Sequence, residues 1–292
     1  MVIERVAWRK AAQCGTGQGR KKVAGRTTER NTHPAGTTMF DCTPSQARFA
    51  ALTLAGLAAV SVQAADTCSA RSAATVTPVV ELYTSEGCNS CPPADQWLSR
   101  LKGSPAVVAL AFHVDYWDRL GWADRFASNR YTQRQAQQQL SSGARFSYTP
   151  QVLFDGADRP DWSRLSAAAT QRSRPAAPVD VTLARDGNQF NATIATVPAA
   201  GAPKRLAAYW AVTENSHVSA VKAGENSGVT LKHDYVVREY LPVAAWATQA
   251  DAPTTLQFVT VTAPDAGHPR EVNLVIVDAD TGRPVQALKL GC

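Results

Sequence analysis

Methionine is nearly absent from this sequence, and no apolar run is long enough to cross a bilayer as a helix. The 292 residues contain two methionines, Met1 and Met39. The apolar run FAALTLAGLAAVSV at 49–62 is shorter than the about 20 residues that a membrane-spanning helix needs. A basic residue before it, Arg48, and small residues after it are typical of a secretory signal peptide. We therefore expect a signal peptide at 39–64 and no stable membrane anchor after cleavage.

The apolar run lies far from Met1 but just behind Met39. We interpret residues 1–38 as a mis-assigned start, with a genuine basic leader as the alternative. This segment holds eight Lys and Arg against two Glu, and this excess of six equals the net charge of +6 for the whole chain. The chain expected after cleavage, 65–292, is therefore formally neutral. Its charge gives no argument for binding to nucleic acid or to an anionic membrane.

Cysteine is also scarce, and cleavage would remove two of the six cysteines. An exported chain reaches the periplasm or the exterior, where disulfides persist. Cys68 and Cys292 stand near the two ends of the exported chain. We expect them to form a structural disulfide that stabilises the fold by about 2–4 kcal/mol. The other two cysteines, Cys88 and Cys91, stand close together.

The pattern along the chain predicts two domains. Strand-like and helix-like segments alternate over 76–174, and short alternating strands follow over 178–292, with the Pro/Ala-rich stretch 172–180 between them. The prediction is an α/β fold, a mixed sheet flanked by helices, followed by a small β-sandwich-like domain. Strands are expected at 78–83, 106–114 and 151–154, and helices at 93–101, 124–140 and 161–173, the last two with Asp124 and Asp161 as N-caps.

The stretch SEGCNSCPPAD at 85–95 indicates a redox-active cysteine pair. Cys88 is expected at a strand-to-helix turn, where the positive end of the helix dipole stabilises a thiolate. Cys91 would then lie one turn inside as the resolving thiol. Pro92 and Pro93 fit the first helical turn. Glu86 acts against the thiolate, since a nearby carboxylate disfavours it.

Other roles for the pair are weighed against redox activity. A zinc site needs a second close pair of Cys or His ligands, and covalent haem attachment needs His where Pro92 stands. Four alternatives stay open: a copper carrier that uses both sulfurs and His113, a partner-binding protein in which the second domain recognises the partner, a thiol peroxidase, and an inert structural disulfide.

The stretch FSYTPQVLFDG at 146–156 places Thr149 and Pro150 directly before a predicted strand. With this motif the first domain resembles the thioredoxin superfamily, in which a cis proline lies beside the CxxC helix and its flanking backbone pairs with an extended substrate. The resemblance implies that Pro150 is cis and that Thr149 faces the sulfurs. It also implies that a buried carboxylate assists the second thiol, a role for which Glu81 is the candidate, with pairing to an Arg as the alternative.

Four motifs together resemble one bacterial exported family, known as domain of unknown function 1223. They are GCNSCPPAD, FHVDYWDRLGWADRFAS, YTPQVLFDG and GENSGVTLKHDYVVRE, and the resemblance covers nearly all of 76–292. It implies a thioredoxin-like fold and export. Gly87 and the Asn89-Ser90 dipeptide depart from thioredoxin itself, so the direction of any redox reaction does not carry over.

Two further segments have both a functional and a structural interpretation. His113 and Asp115 end a predicted strand and precede the aromatic stretch YWDRLGW, so they either line a substrate groove or make structural hydrogen bonds. The segment 224–239, with Gly224, Asn226, Gly228 and the polar residues His233, Asp234 and Arg238, either docks against the CxxC face or forms a self-contained loop.

The sequence thus predicts an exported thiol–disulfide oxidoreductase-like protein. Cys88 attacks, Cys91 resolves, and Thr149 and Pro150 hold the partner polypeptide. The expected partners are protein thiols and disulfides, not nucleic acid. No cofactor is expected, because the cysteine pair carries the two electrons.

Overall fold

The structure is a computed structural model that describes residues 68–102, 104, 107–166, 170, 173–198, 201–249 and 252–292. All of them belong to one compact unit. The predicted start at Met39, the segment 1–38 and the signal peptide at 39–64 lie outside the described residues. Among the helices that are described, none is long and apolar enough to span a membrane.

The first part of the chain supplies five strands and the two α-helices with described bounds. The strands are β1 (Cys68–Arg71), β2 (Val79–Thr84), β3 (Val108–His113), β4 (Gln151–Phe154) and β5 (Ala157–Asp158), and the helices are α1 (Pro92–Ser99) and α2 (Asn129–Ser142). Short 3-10 helices lie at Asp118–Leu120 and Trp162–Arg164.

The second part is built of strands. They are β6 (Val179–Asp186), β7 (Gln189–Thr196), β8 (Arg205–Glu214), β9 (His217–Ala220), β10 (Thr230–His233), β11 (Val236–Ala247), β12 (Thr254–Val259), β13 (Arg270–Asp278) and β14 (Pro284–Leu290).

An eight-stranded mixed sheet with the order β14-β13-β8-β11-β3-β2-β4-β5 runs through the molecule. β3 pairs in parallel with both β2 and β11, and the other neighbours are antiparallel. β2 and β3 are buried along their whole lengths, as expected for strands covered on both faces. Strands from both sides of the stretch 172–180 therefore share one sheet.

A second sheet, β1-β6-β7-β12, covers the β8-β13 end of the large sheet. Alternate residues of β6 and β7, such as Leu183 and Ile194, pack against Trp210 and Leu274 of the large sheet. The disulfide between Cys68 and Cys292 ties β1 to the residues after β14, with a Cα–Cα distance of 6.6 Å. The pairing expected for these two cysteines is present.

The predicted fold class is wrong. Of the described residues, strands account for 44% and helices for 14%, so this part of the protein is mostly β and is not a helix-flanked, thioredoxin-like α/β fold. The physical reason lies in β11, whose Val236 pairs with Ala111 of β3 and extends the sheet on that side. The near-continuous apolar segments of β8 and β13 are buried within this same sheet. They do not form a small sandwich of their own.

Two helix predictions also differ from the structure. α2 begins at Asn129, and its N-cap is Ser128, whose side chain accepts a hydrogen bond from the Arg130 amide. Asp124 lies upstream of α2. Asp161 makes no side-chain cap, and the chain after it begins with the 3-10 helix Trp162–Arg164; Thr170 is helical, and residues 167–169 and 171–172 lie outside the described part.

Candidate functional site

The CxxC loop, residues 85–91, joins the end of β2 to the start of α1. Cys91 occupies the N-cap position of α1, and Pro92 and Pro93 fill its first turn as predicted. The amide of Cys91 donates to the carbonyl of Cys88 at 3.2 Å. The two cysteines form a disulfide with a Cα–Cα distance of 5.4 Å. The loop thus holds both sulfurs at the N-terminal end of a short helix.

The segment before β4 lies against Cys88. The Thr149–Pro150 peptide bond is cis, which confirms the prediction. The Thr149 hydroxyl donates to the Cys88 sulfur at 3.4 Å and accepts a hydrogen bond from the indole N–H of Trp117 at 2.8 Å. Ser90 places a second hydroxyl 3.4 Å from the same sulfur. Two hydroxyls, one oriented by an indole, therefore face the Cys88 sulfur.

Both cysteines are covered, with 0% of each residue exposed to solvent. The side-chain amide of Asn226 donates to the carbonyls of Glu86 and Cys88, at 2.9 and 3.0 Å. The carboxylate of Glu225 accepts a hydrogen bond from the Asn89 amide at 3.3 Å. The segment 224–228, which we call the covering loop, thus docks on the CxxC loop, so the docking interpretation of this segment is the observed one.

The position of Gly87 is explained by the crowding around the CxxC loop. A Cβ at this position would lie 3.0 Å from the Cβ of Trp117. Any larger residue would push the loop away from the Trp117 indole that orients Thr149. Asn89 and Ser90 are the exposed residues of the loop.

Glu81 lies away from the cysteines. Side chains of a strand alternate between its two faces, and Glu81 shares a face of β2 with Val79 and Tyr83, whereas α1 packs on Val80 and Leu82. The Glu81 carboxylate accepts hydrogen bonds from the guanidinium of Arg134, the Tyr209 hydroxyl and the Tyr83 hydroxyl. The pairing with an Arg is therefore observed, and this geometry does not support a proton-relay role for Glu81.

Five buried acid and histidine side chains fill the space behind the CxxC loop. We call this set the acid–histidine cluster; its members are at most 6% exposed and are Glu86, Asp95, His113, Asp124 and His233.

Two pairs within the cluster set its geometry. His113 Nδ1 lies 2.6 Å from Asp124 Oδ2. The His233 ring lies between two carboxylates, with Nδ1 3.5 Å from Asp95 Oδ1 and Nε2 3.5 Å from Glu86 Oε1. The two imidazole rings meet edge to face with centroids 5.0 Å apart.

Neighbouring groups anchor the carboxylates of the cluster. The Thr84 hydroxyl donates to Asp95 at 2.8 Å, and the Trp122 indole donates to Glu86 at 2.7 Å. The Glu86 amide donates to Asp124 at 2.9 Å. The cluster is thus connected to the CxxC loop through both the main chain and the side chain of Glu86.

The pKa values in the cluster reflect burial opposed by close pairing. Burial alone would lower the pKa of His233, but the carboxylates of Asp95 and Glu86 outweigh it and raise the pKa to about 10. Burial would raise the pKa of Asp124, but His113 and two backbone amides lower it to about 2. The pKa of Glu86 is likewise lowered, because its hydrogen-bonding neighbours outweigh its burial.

The sequence indicated only part of this site. Cys88, Cys91, Thr149 and Pro150 come together as expected. Asp115 has a structural role, since it accepts a hydrogen bond from Thr132 of α2 at 2.6 Å. Asp95 was missed because an acidic residue in the first turn of a helix is ordinary.

The fold and the site define a β-rich protein with a covered disulfide at the N-terminus of a short helix. The chain belongs to the family described as "Protein of unknown function (DUF1223)", whose profile matches residues 79–277. The family indicated by the four sequence motifs is therefore confirmed. No curated protein matches the chain.

Two solved structures are similar to this chain. Protein AGR_C_4864 from Agrobacterium tumefaciens is 28% identical with a TM-score of 0.53, and the match covers 74% of this chain and 94% of that one. HBP35 of Porphyromonas gingivalis is 16% identical with a TM-score of 0.52, and the match covers 75% of this chain and 76% of that one. At this lower identity, the second match shows similarity of fold alone.

Proposed function

We propose that this protein is exported and exchanges disulfides with a protein partner through Cys88 and Cys91. The observation that supports this most directly is the position of the disulfide at the N-terminus of α1, with the Thr149 hydroxyl 3.4 Å from the Cys88 sulfur. A hydroxyl donor and a helix N-terminus both stabilise a thiolate on Cys88 once the bond is reduced.

The proposed exchange has two balanced steps. A thiolate of the partner attacks the Cys88 sulfur, a mixed disulfide forms, and Cys91 leaves as a thiolate. A second partner thiolate then attacks the partner's own sulfur in the mixed disulfide and releases Cys88 as a thiolate. The partner gains a disulfide, and the CxxC pair takes up two electrons. The reverse sequence reduces a partner disulfide.

Cys88 is the proposed point of attack because the exposed residues Asn89 and Ser90 follow it directly, whereas Cys91 lies at the N-cap of α1. Thr149 and Pro150, beside the Cys88 sulfur, are proposed to contact the partner chain. Since both cysteines are buried and the covering loop is hydrogen-bonded to the CxxC loop, we expect that separation of these two loops gives the partner access.

The first test is the reduction potential of the Cys88–Cys91 pair, by equilibration in glutathione buffers followed by thiol trapping. A potential of about −120 to −180 mV indicates donation or isomerisation of disulfides, and one near about −270 mV indicates a reductant. A pair that cannot be reduced without unfolding would show that the disulfide is structural and would end the proposal.

Matched cysteine variants test the order of attack. With an oxidised peptide that carries a disulfide as partner, reduced C91S should accumulate a mixed disulfide, because the Cys88 thiolate attacks the peptide disulfide and no resolving thiol remains in the variant. C88S should accumulate much less, since Cys91 is held at the N-cap. Equal accumulation in both variants would contradict the assigned roles.

The copper-carrier alternative requires the reduced pair, because sulfurs in a disulfide are not thiolate ligands.

A further inference from the structure

Three members of the acid–histidine cluster have the spacing and chemistry of a metal site. One ligand atom from each of Asp95, His113 and His233 lies within 4.8 Å of the other two. Tetrahedral zinc sites with bonds of about 2.0–2.1 Å place neighbouring ligand atoms about 3.3 Å apart. A contraction of at most about 1.5 Å (4.8 − 3.3), by rotation of side chains, would therefore close this set around one ion.

Three of the four ring nitrogens of the cluster are buried without a hydrogen-bond partner. His113 Nε2 and both ring nitrogens of His233 are without a partner among the described residues, although these side chains are 0% and 2% exposed. Buried polar atoms without partners are costly, and few occur in native proteins. Glu86 Oε1 lies 3.5 Å from His233 Nε2, on the side of the ring opposite to Asp95, so it can accept the second ring N–H of His233.

His113 has the kind of hydrogen-bond partner, a carboxylate, that histidine metal ligands usually have. Histidine ligands usually donate their second ring N–H to a carboxylate, which fixes the tautomer and directs the other nitrogen at the ion. His113 Nδ1 lies 2.6 Å from Asp124 Oδ2, and this leaves Nε2 as the free nitrogen. Asp124 in turn accepts the amides of Glu86 and Phe126, so it is itself held in place.

The buried negative charge of the cluster also favours the binding of a cation. Three carboxylates, those of Glu86, Asp95 and Asp124, are buried together, and among the described residues their ion pairs involve only His113 and His233. No Lys or Arg of the described chain pairs with them. Buried carboxylates are stable when they are paired or coordinate a metal ion.

We propose that Asp95, His113 and His233 bind a divalent transition-metal ion of the Zn²⁺ type, with Asp124 and Glu86 as the residues that position His113 and His233. Two imidazoles and carboxylate oxygens are a donor set that suits Zn²⁺. The proposal does not depend on disulfide exchange, because it uses neither cysteine.

A bound ion would connect three parts of the fold. Asp95 lies on α1, His113 ends β3 and His233 ends β10. Glu86 belongs to the CxxC loop itself, and His233 comes from the same β-rich half as the covering loop. The ion would therefore fasten this half to the CxxC loop at a buried point behind the disulfide.

The test uses the full-length chain, oxidised and freed of metal with a chelator, and titrated with Co²⁺ and then Zn²⁺. We expect one equivalent of Co²⁺ with the visible bands of a tetrahedral nitrogen–oxygen site and no thiolate charge-transfer band. Zn²⁺ should displace it. A folded wild-type chain that takes up less than one equivalent would overturn the proposal, as would a thiolate band; either result leaves the exchange proposal standing.

Matched variants locate the ion. H113N and H233N should each weaken Zn²⁺ binding by more than about 100-fold, since outer-shell changes alone cost about 10- to 100-fold. D124N, which changes such an outer-shell residue, should fall in that lower range. H217N alters another buried histidine outside the cluster and should bind Zn²⁺ like the wild type. Unchanged Zn²⁺ binding in H113N or H233N would show that the ion binds elsewhere and would overturn the proposal.

Discussion

Asn226 joins the covering loop to the CxxC loop through a single side-chain amide. Its two donated hydrogen bonds reach the carbonyls of Glu86 and Cys88, one on each side of Gly87. Both acceptors are main-chain carbonyls, and one of them belongs to Cys88 itself. Loss of the Asn226 amide therefore weakens the contact between the covering loop and the CxxC loop and leaves both cysteines in place.

We predict that N226A speeds reduction of the Cys88–Cys91 disulfide by an added small thiol, because the covering loop opens more often. Stability should fall by about 1–3 kcal/mol, since two buried carbonyls lose their donor. The rate is measured by thiol trapping under native conditions.

The matched control for this variant is N273A. Asn273 is also buried and donates to the Ala211 carbonyl and the Thr213 hydroxyl, but it lies on β13. It should lose a similar amount of stability with no change in the reduction rate beyond what that loss causes. An equal increase in rate for both variants would show that global unfolding, not the covering loop, exposes the disulfide.

His217 makes the fold sensitive to mild acid. Burial, the stacked ring of His268 and the charge of Arg238 lower its pKa from 6.5 to about 4, although Glu214 acts in the opposite direction. Between these two values the unfolded chain binds more protons than the folded one, so stability rises with pH across this window. The contribution of neutral His217 to the free energy of unfolding is complete above pH 6.5 and is lost as the pH falls toward 4.

We predict that H217Q removes part of this pH dependence. The loss of wild-type stability between about pH 6.5 and 4 from this group is at most about 3 kcal/mol. Denaturant unfolding at a series of pH values should show a shallower slope for the variant over that window. An unchanged slope would mean that His217 is not the group responsible.

The elements that carry the site are held together by buried polar contacts as well as by apolar packing. α2 attaches to the large sheet through Arg134, which reaches Glu81 of β2 at 2.5 Å and Tyr240 of β11 at 2.8 Å. Arg134 and Glu81 are each 5% exposed. One guanidinium thus connects α2 to strands that lie on opposite sides of β3.

We predict that E81Q lowers stability by about 3–5 kcal/mol, because it leaves the charge of Arg134 buried without its partner. Denaturant unfolding measures the loss, and D161N, which breaks an exposed pair with Arg159, should have little effect. The reduction potential of the cysteine pair should not change. Slower disulfide exchange in a stable E81Q protein would restore the proton-relay role.

The elements that could be predicted are those with local signals. β2, β3 and β4 are short apolar runs, and Pro92 and Pro93 mark the start of α1. The cysteine pair and the Thr149–Pro150 motif are equally local. The acid–histidine cluster was not predicted, because its members come from separate parts of the chain and meet only after the sheet has formed.

The whole molecule is closed by the disulfide between Cys68 and Cys292, 224 residues apart in sequence. It connects β1, the edge strand of the second sheet, to the chain end that follows β14 of the large sheet.

The strand order of the large sheet could not be predicted from the sequence. The pairing of β11 with β3 is long-range, and the apolar pattern of a strand does not specify its neighbour.

We predict that the double variant C68S/C292S unfolds with a stability lower by about 2–5 kcal/mol, because the unfolded chain loses a long-range constraint. Each single variant should lose a similar amount, since either one opens the bond. The potential of the Cys88–Cys91 pair should stay unchanged. Peptide mapping of the wild-type protein that found Cys68 or Cys292 as a free thiol would contradict this prediction.

The central position of β3 has a consequence for any attempt to isolate the segment that carries the CxxC pair. In the full chain β3 pairs with β2 on one side and β11 on the other. A fragment restricted to 76–174 would leave the apolar sequence VALAFH as an open strand edge, and such edges promote aggregation between chains. The segment with the cysteine motif therefore depends on the β-rich half, whose β11 pairs with β3 at this edge.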